Sequence, residues 1–75
     1  MHIDHADYTI KPARKGGGLV LTLLVPRYCG RRRTRIGHVA DAVCGERTYS
    51  RALNGYRVSE VTALRFISQY DARRK

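Results

Sequence analysis

Glu46-Arg47-Thr48-Tyr49-Ser50-Arg51-Ala52-Leu53-Asn54-Gly55 is the stretch on which the reading of the whole chain turns. In helical register Arg47, Ser50, Arg51 and Asn54 fall at i, i+3, i+4 and i+7, one continuous polar stripe. Tyr49, Ala52, Leu53 and Tyr56 form the opposite face. The spacing predicts a helix over 47–53 that packs with one side. Its other side offers the groups that contact phosphates and base edges. Asn54-Gly55 is a strong terminator.

Upstream, Ile36, Val39, Ala40 and Val43 repeat the same spacing as an apolar stripe. Thr34 is placed to cap that helix, and Gly45 to end it as a left-handed residue. Downstream, Ser59 is placed to cap a third helix, with Glu60 at the positive end of its dipole. Val61, Ala63, Leu64, Phe66, Ile67 and Tyr70 give it a wide buried face, and Thr62, Arg65 and Gln69 a wet one. The basic tail Asp71-Ala72-Arg73-Arg74-Lys75 is expected to fray.

Ahead of these helices, 1–7 reads as a flexible lead-in. Tyr8-Thr9-Ile10-Lys11 alternates as a strand does, and Pro12 limits it to an edge or an end. Three glycines after Lys15 cannot hold a helix and reverse the chain. The apolar run 19–25 lies between Gly18 and Pro26 and favours a strand buried on both faces. The competing reading makes 19–28 the first helix of an all-helical domain. A strand face left uncovered in so small a chain calls for a homodimer. The expected fold is α+β within one domain, 1–75: an N-terminal β-hairpin over 8–28, then a three-helix helix-turn-helix unit over 34–72.

Charge narrows the partner. Fifteen Lys and Arg against six Asp and Glu leave +9 in 75 residues, with a pI near 10.4. Such an excess favours a polyanion, most often nucleic acid. Plain solubility, acidic lipid or an acidic protein are the alternatives. Cys29 and Cys44 do not make a disulfide framework, and the polar N-terminus does not read as a secretory signal. The run 19–25 is too short to cross a bilayer, so no membrane is expected. A reducing cytoplasm with free thiols is the expected setting. His2, His5, Cys29, His38 and Cys44 lack the spacing of a zinc module, and Cys44 reads as a small buried apolar residue. Neither a paired carboxylate nor a nucleophile or phosphate-loop motif is present, so neither catalysis nor a cofactor is expected.

Val39-Ala40-Asp41-Ala42-Val43, then Thr48-Tyr49-Ser50-Arg51-Ala52-Leu53-Asn54-Gly55, then Ser59-Glu60-Val61-Thr62-Ala63-Leu64, together resemble the helix-turn-helix of the Cro and lambda-repressor (XRE-like) family. The likeness covers 36–70. It implies that Ala40 lets the second helix cross the first closely and that helix 47–54 lies in the major groove of duplex DNA. Arg47 and Arg51 would then reach guanine edges or phosphates, Ser50 and Asn54 would make polar contacts, and Thr48 would sit near a phosphate. Arg31, Arg32, Arg33 and Arg35 would hold the flanking backbone, and Arg57 is a further expected DNA contact. Arg14 and Lys15 would form a basic hairpin tip. The function implied is a small DNA-binding regulator of phage or plasmid genes, acting as a homodimer. The rival is a small inhibitor that binds a host protein, with 19–25, Tyr28 and Tyr56 in the interface.

Overall fold

The computed structural model describes residues 1–72, so 73–75 of the expected basic tail lie outside them. In chain order it contains β1 (Ile3–Asp4), β2 (Tyr8–Pro12), β3 (Leu19–Leu23), β4 (Tyr28–Cys29), β5 (Arg32–Arg33) and α1 (Arg35–Ala40). A π-helical turn, Asp41–Gly45, continues α1 and is followed by a 3-10 turn, Glu46–Thr48. Then come β6 (Tyr49–Ser50), β7 (Gly55–Val58) and α2 (Glu60–Ala72). Five strands form one antiparallel sheet in the order β1-β2-β3-β7-β6, and β4 with β5 makes a separate two-stranded ribbon.

Alternation decides which side of the sheet is covered. Tyr8 and Ile10 pair with Leu23 and Leu21, and Leu21 pairs in turn with Tyr56. These five side chains, with Leu19 and Val58, are buried against α1 and α2. The intervening residues Thr9, Lys11, Val20, Thr22 and Arg57 project to the other side, because successive strand side chains alternate. α1 buries Ile36, Val39 and Ala40, whereas α2 buries Ala63, Phe66 and Tyr70 but leaves Val61 and Leu64, expected on the same face, exposed. The rings of Tyr8, Phe66 and Tyr70 meet at centroid distances of 5.0 to 5.8 Å. Thr34 caps α1 by accepting from the Gly37 amide at 3.2 Å, and Ser59 caps α2 by accepting from the Thr62 amide at 3.3 Å. Among the described residues no helix is long and apolar enough to cross a membrane.

The three-helix unit is not what forms. The described residues hold two α-helices, and 47–54 is a 3-10 turn, a short strand and a reversal. Tyr49 pairs with Tyr56 and Ser50 with Gly55, so the stretch read as a recognition helix is half of a β-hairpin. The physical reason lies in β3. A strand paired on one side only, deep in the molecule, leaves a row of amides and carbonyls unsatisfied. β7 pairs that second side from Leu19↔Val58 to Thr22↔Gly55. The gain of a full ladder outweighs the weak helical preference of a short amphipathic stretch. Asn54, at φ +49, with Gly55 after it, turns the chain back rather than ending a helix.

A second correction concerns β3 itself. It is buried on one face, through Leu19, Leu21 and Leu23, while Val20 and Thr22 on the other are half-buried. α1 and α2 cover the face of Leu19, Leu21 and Leu23, and the face of Val20 and Thr22 is the one the helices leave open.

Candidate nucleic-acid interface

The side of the sheet left open by the helices collects cations. Lys11, Val20 and Arg57 lie in register across β2, β3 and β7. Just beyond them the glycine turn between β2 and β3 brings Arg14 and Lys15 to the same end of the sheet. The Arg57 guanidinium donates to the Lys15 carbonyl, tying β7 to that turn. A Cβ at Gly16, which sits at φ +78, would meet the Arg57 guanidinium at 3.1 Å. Glycine there allows both the turn and the tie. Arg14, Lys15, Val20, Leu53 and Arg57, with Pro12 and Ala13, line an open cleft of about 440 Å³. Its floor is apolar and its rim is cationic.

Among the described residues Lys11, Arg14, Lys15 and Arg57 form no ion pair. Asp41 and Glu46 are used elsewhere. Asp41 is the one buried charged residue among those described, 7 % exposed. It accepts from Arg27 through both oxygens, at 3.0 and 3.1 Å, and from the Tyr56 hydroxyl. Arg33 lies 3.3 Å from it, and Glu46 stands 3.8 Å from both arginines. Burial would lower the Arg27 pKa, but the hydrogen bond to Asp41 and its charge reverse that, so Arg27 stays cationic. The Arg27 guanidinium also stacks on the Tyr49 ring at 4.2 Å. Burial, followed by the hydrogen bond from its hydroxyl to Asp41, holds the Tyr56 phenol well above its ordinary range. This network fastens the start of the ribbon, the end of α1 and β7 to one another.

The residues expected to contact DNA are therefore dispersed. Arg47 is exposed on the 3-10 turn and Arg51 on the reversal between β6 and β7, on no common helix face. Ser50 is a half-buried strand residue. Thr48 donates to the Gly45 carbonyl at 2.7 Å and closes the π-helical turn. The Asn54 side chain accepts from the Tyr49 hydroxyl at 3.2 Å. Arg35 is taken up internally, donating to the Tyr70 carbonyl at 2.5 Å and stacking on its ring at 4.5 Å. It neutralises the negative end of α2. Arg33 is held by Asp41, whereas Arg31 and Arg32 are exposed on the ribbon. Arg57 is on the open face.

Lys11 escaped the sequence reading, although its signal was present. Tyr8 and Ile10 facing inward put Lys11 outward, and the same alternation through Tyr56 and Val58 puts Arg57 on that side. The pairing of Arg27 with Asp41, fourteen residues apart, leaves no periodic trace in the sequence. Comparison with family models, curated proteins and solved structures finds no match to this chain.

Proposed function

We propose that this protein binds duplex nucleic acid through its phosphate backbone, using the open face of the sheet. The observation that carries the reading is the cluster of Lys11, Arg14, Lys15 and Arg57, which among the described residues form no ion pair, on the side the helices leave uncovered. Clustered cations without acidic neighbours displace counterions from a polyanion and gain affinity from their release. The hydroxyls of Thr9 and Thr22 on the same face add hydrogen-bond donors for phosphate oxygens.

The aromatic residues favour a duplex over a single strand. Single-strand binders stack exposed bases on aromatic side chains. Here Tyr8, Tyr56, Phe66 and Tyr70 are buried, Tyr49 pairs with Tyr56 and so shares its inner side, and Tyr28 is on the ribbon. None lies on the open face.

The experiment is a titration of a mixed-sequence DNA duplex by fluorescence anisotropy at several salt concentrations. The triple variant Lys11→Ala, Arg14→Ala, Lys15→Ala should flatten the slope of log affinity against log salt by roughly 2 to 3, at about 0.9 per phosphate contact. Arg65→Ala removes the same kind of charge from α2 in the opposite layer and should leave the slope nearly unchanged. A triple variant with the wild-type slope would overturn the proposal.

A protein target is the second reading. Val61 and Leu64, 68 % and 51 % exposed and one turn apart on α2, are what favour it. Val61→Ser with Leu64→Ser should abolish capture of such a target while leaving duplex affinity intact. Unchanged capture would remove α2 from consideration.

A further inference from the structure

The ribbon of β4 and β5 is built differently from the open face. Its turn has two residues, Gly30 and Arg31, with Gly30 at φ +64. That is the geometry a tight type II′ connection requires. Its base is closed by the Thr34 amide donating to the Arg27 carbonyl at 2.8 Å and the Thr34 hydroxyl donating to the Pro26 carbonyl at 2.5 Å. Tyr28 pairs with Arg33 and Cys29 with Arg32, so each pair shares one face of the ribbon. The Tyr28 and Arg33 face turns toward the body: Arg33 reaches the Tyr28 hydroxyl at 3.4 Å and buried Asp41 at 3.3 Å. Cys29 and Arg32 must then face away from it.

Three consecutive arginines are thereby divided. Arg33 anchors the ribbon, whereas Arg31 at the tip and Arg32 on the outer face are exposed and, among the described residues, form no ion pair. Cys29, the cross-strand neighbour of Arg32, is too small to wall it off. Two cations on a short, pinned ribbon are more than a solvated charge run. Their backbone is fixed, and fixed backbone is what distinguishing one base edge from another demands.

The dimensions select the groove. Paired strands are about 4.8 Å apart before side chains are added. A ribbon of that width fits the major groove, about 12 Å across, and not the minor groove, about 6 Å across. In the major groove the group that a guanidinium matches bidentately is guanine, through O6 and N7. Resting on the duplex reading above, we infer that the ribbon enters the major groove and that Arg31 and Arg32 select guanine-containing steps, while the open face holds phosphates without regard to sequence.

The test uses three duplexes of equal length at one salt concentration. The first is rich in G·C, the second is identical with 7-deazaguanine replacing guanine, and the third contains only A·T pairs. The 7-deaza base lacks the N7 acceptor but keeps its pairing and its minor-groove edge. The wild-type protein should bind the first duplex roughly tenfold or more tightly than either other, within the range expected for arginine–guanine pairs. Arg31→Ala with Arg32→Ala, which removes two exposed side chains and leaves Arg33 in place, should bind all three alike. Equal wild-type affinity for the first two duplexes would overturn the inference and leave the backbone reading standing. Failure to bind any duplex at low salt would overturn both.

Discussion

A methyl group on residue 37 would sit 2.3 Å from the Arg27 carbonyl oxygen, and one on residue 55 would sit 2.2 Å from that of Leu21. Alanine in a helix is worth about 1 kcal/mol over glycine, so Gly37→Ala in α1 would stabilise if propensity decided the matter. The clash is with backbone, which cannot swing aside, and overpacking of this kind costs about 1–3 kcal/mol. Gly37→Ala should therefore lower the urea midpoint. Asp41 is the most sensitive polar position. Asp41→Ala leaves the mostly buried Arg27 with exposed Glu46 as its remaining ion-pair partner and should cost about 3 kcal/mol. Tyr56→Phe removes one of several donors to the Asp41 carboxylate and should cost less, about 1.5–3 kcal/mol. Urea unfolding measures both, and an equal loss for the two would refute the ranking. Burial, reinforced by the Asp41 charge, pushes the Cys44 thiol up to about 12. At pH 8 a thiol reagent should label exposed Cys29 promptly and Cys44 only on unfolding. Cys44 and Tyr56 both hold their protons more tightly folded than unfolded. Their share of stability is intact below the ordinary pKa values of 9.0 and 10.0 and is lost as pH rises above them. The urea midpoint should fall from about pH 9 upward, and less steeply in Tyr56→Phe.

At the scale of elements, what the sequence disclosed depended on whether a segment's partner was local. Thr34, Gly45 and Ser59 mark helix boundaries through contacts within a few residues, and the structure places a boundary at each. The strands at Tyr8–Pro12 and Leu19–Leu23 were legible because a glycine turn joins them directly. β6 and β7 were not, since β7 pairs with β3 more than thirty residues earlier. The stripe of Arg47, Ser50, Arg51 and Asn54 satisfies helical spacing, but those residues also suit a turn. Asn-Gly between alternating segments is as strong a hairpin signal as a helix stop. The candidate site divides the same way: Arg31 and Arg32 were visible as a run, while Lys11 and Arg57 become neighbours only through the sheet. Amide exchange checks the assignment. The amides of β3 should be the slowest in the molecule, and those of Arg51, Ala52 and Leu53 should exchange freely. A helix over 47–53 would instead protect its later amides.

Over the whole molecule the relevant quantity is where +9 resides. The attractive pairs are concentrated around Asp41, where the side chains of Arg27 and Asp41 are 16 % and 3 % exposed and therefore little screened by salt. Among the described residues the cations without an ion pair are at the surface, within 33 × 26 × 20 Å. They include Lys11, Arg14, Lys15 and Arg57 on one face, Arg31 and Arg32 on the ribbon, and Arg47, Arg51 and Arg65 elsewhere. Those dimensions span only a few Debye lengths, about 10 Å each at 0.1 M salt and 30 Å at 0.01 M. At low salt every surface cation repels the others across the whole protein, and added salt relieves that repulsion while hardly touching the Asp41 network. Salt should thus act on folding and on binding with opposite signs. From 10 to 300 mM sodium chloride the urea midpoint should rise, and affinity for duplex DNA should fall. A saturating duplex at 10 mM salt should raise the melting temperature, because a polyanion held by the folded protein both supplies binding energy and cancels the repulsion. A urea midpoint that falls with salt would mean that attraction dominates at the surface. The unpaired cations would then have carboxylate partners in solution, and the open face would lose the property on which nucleic-acid binding depends.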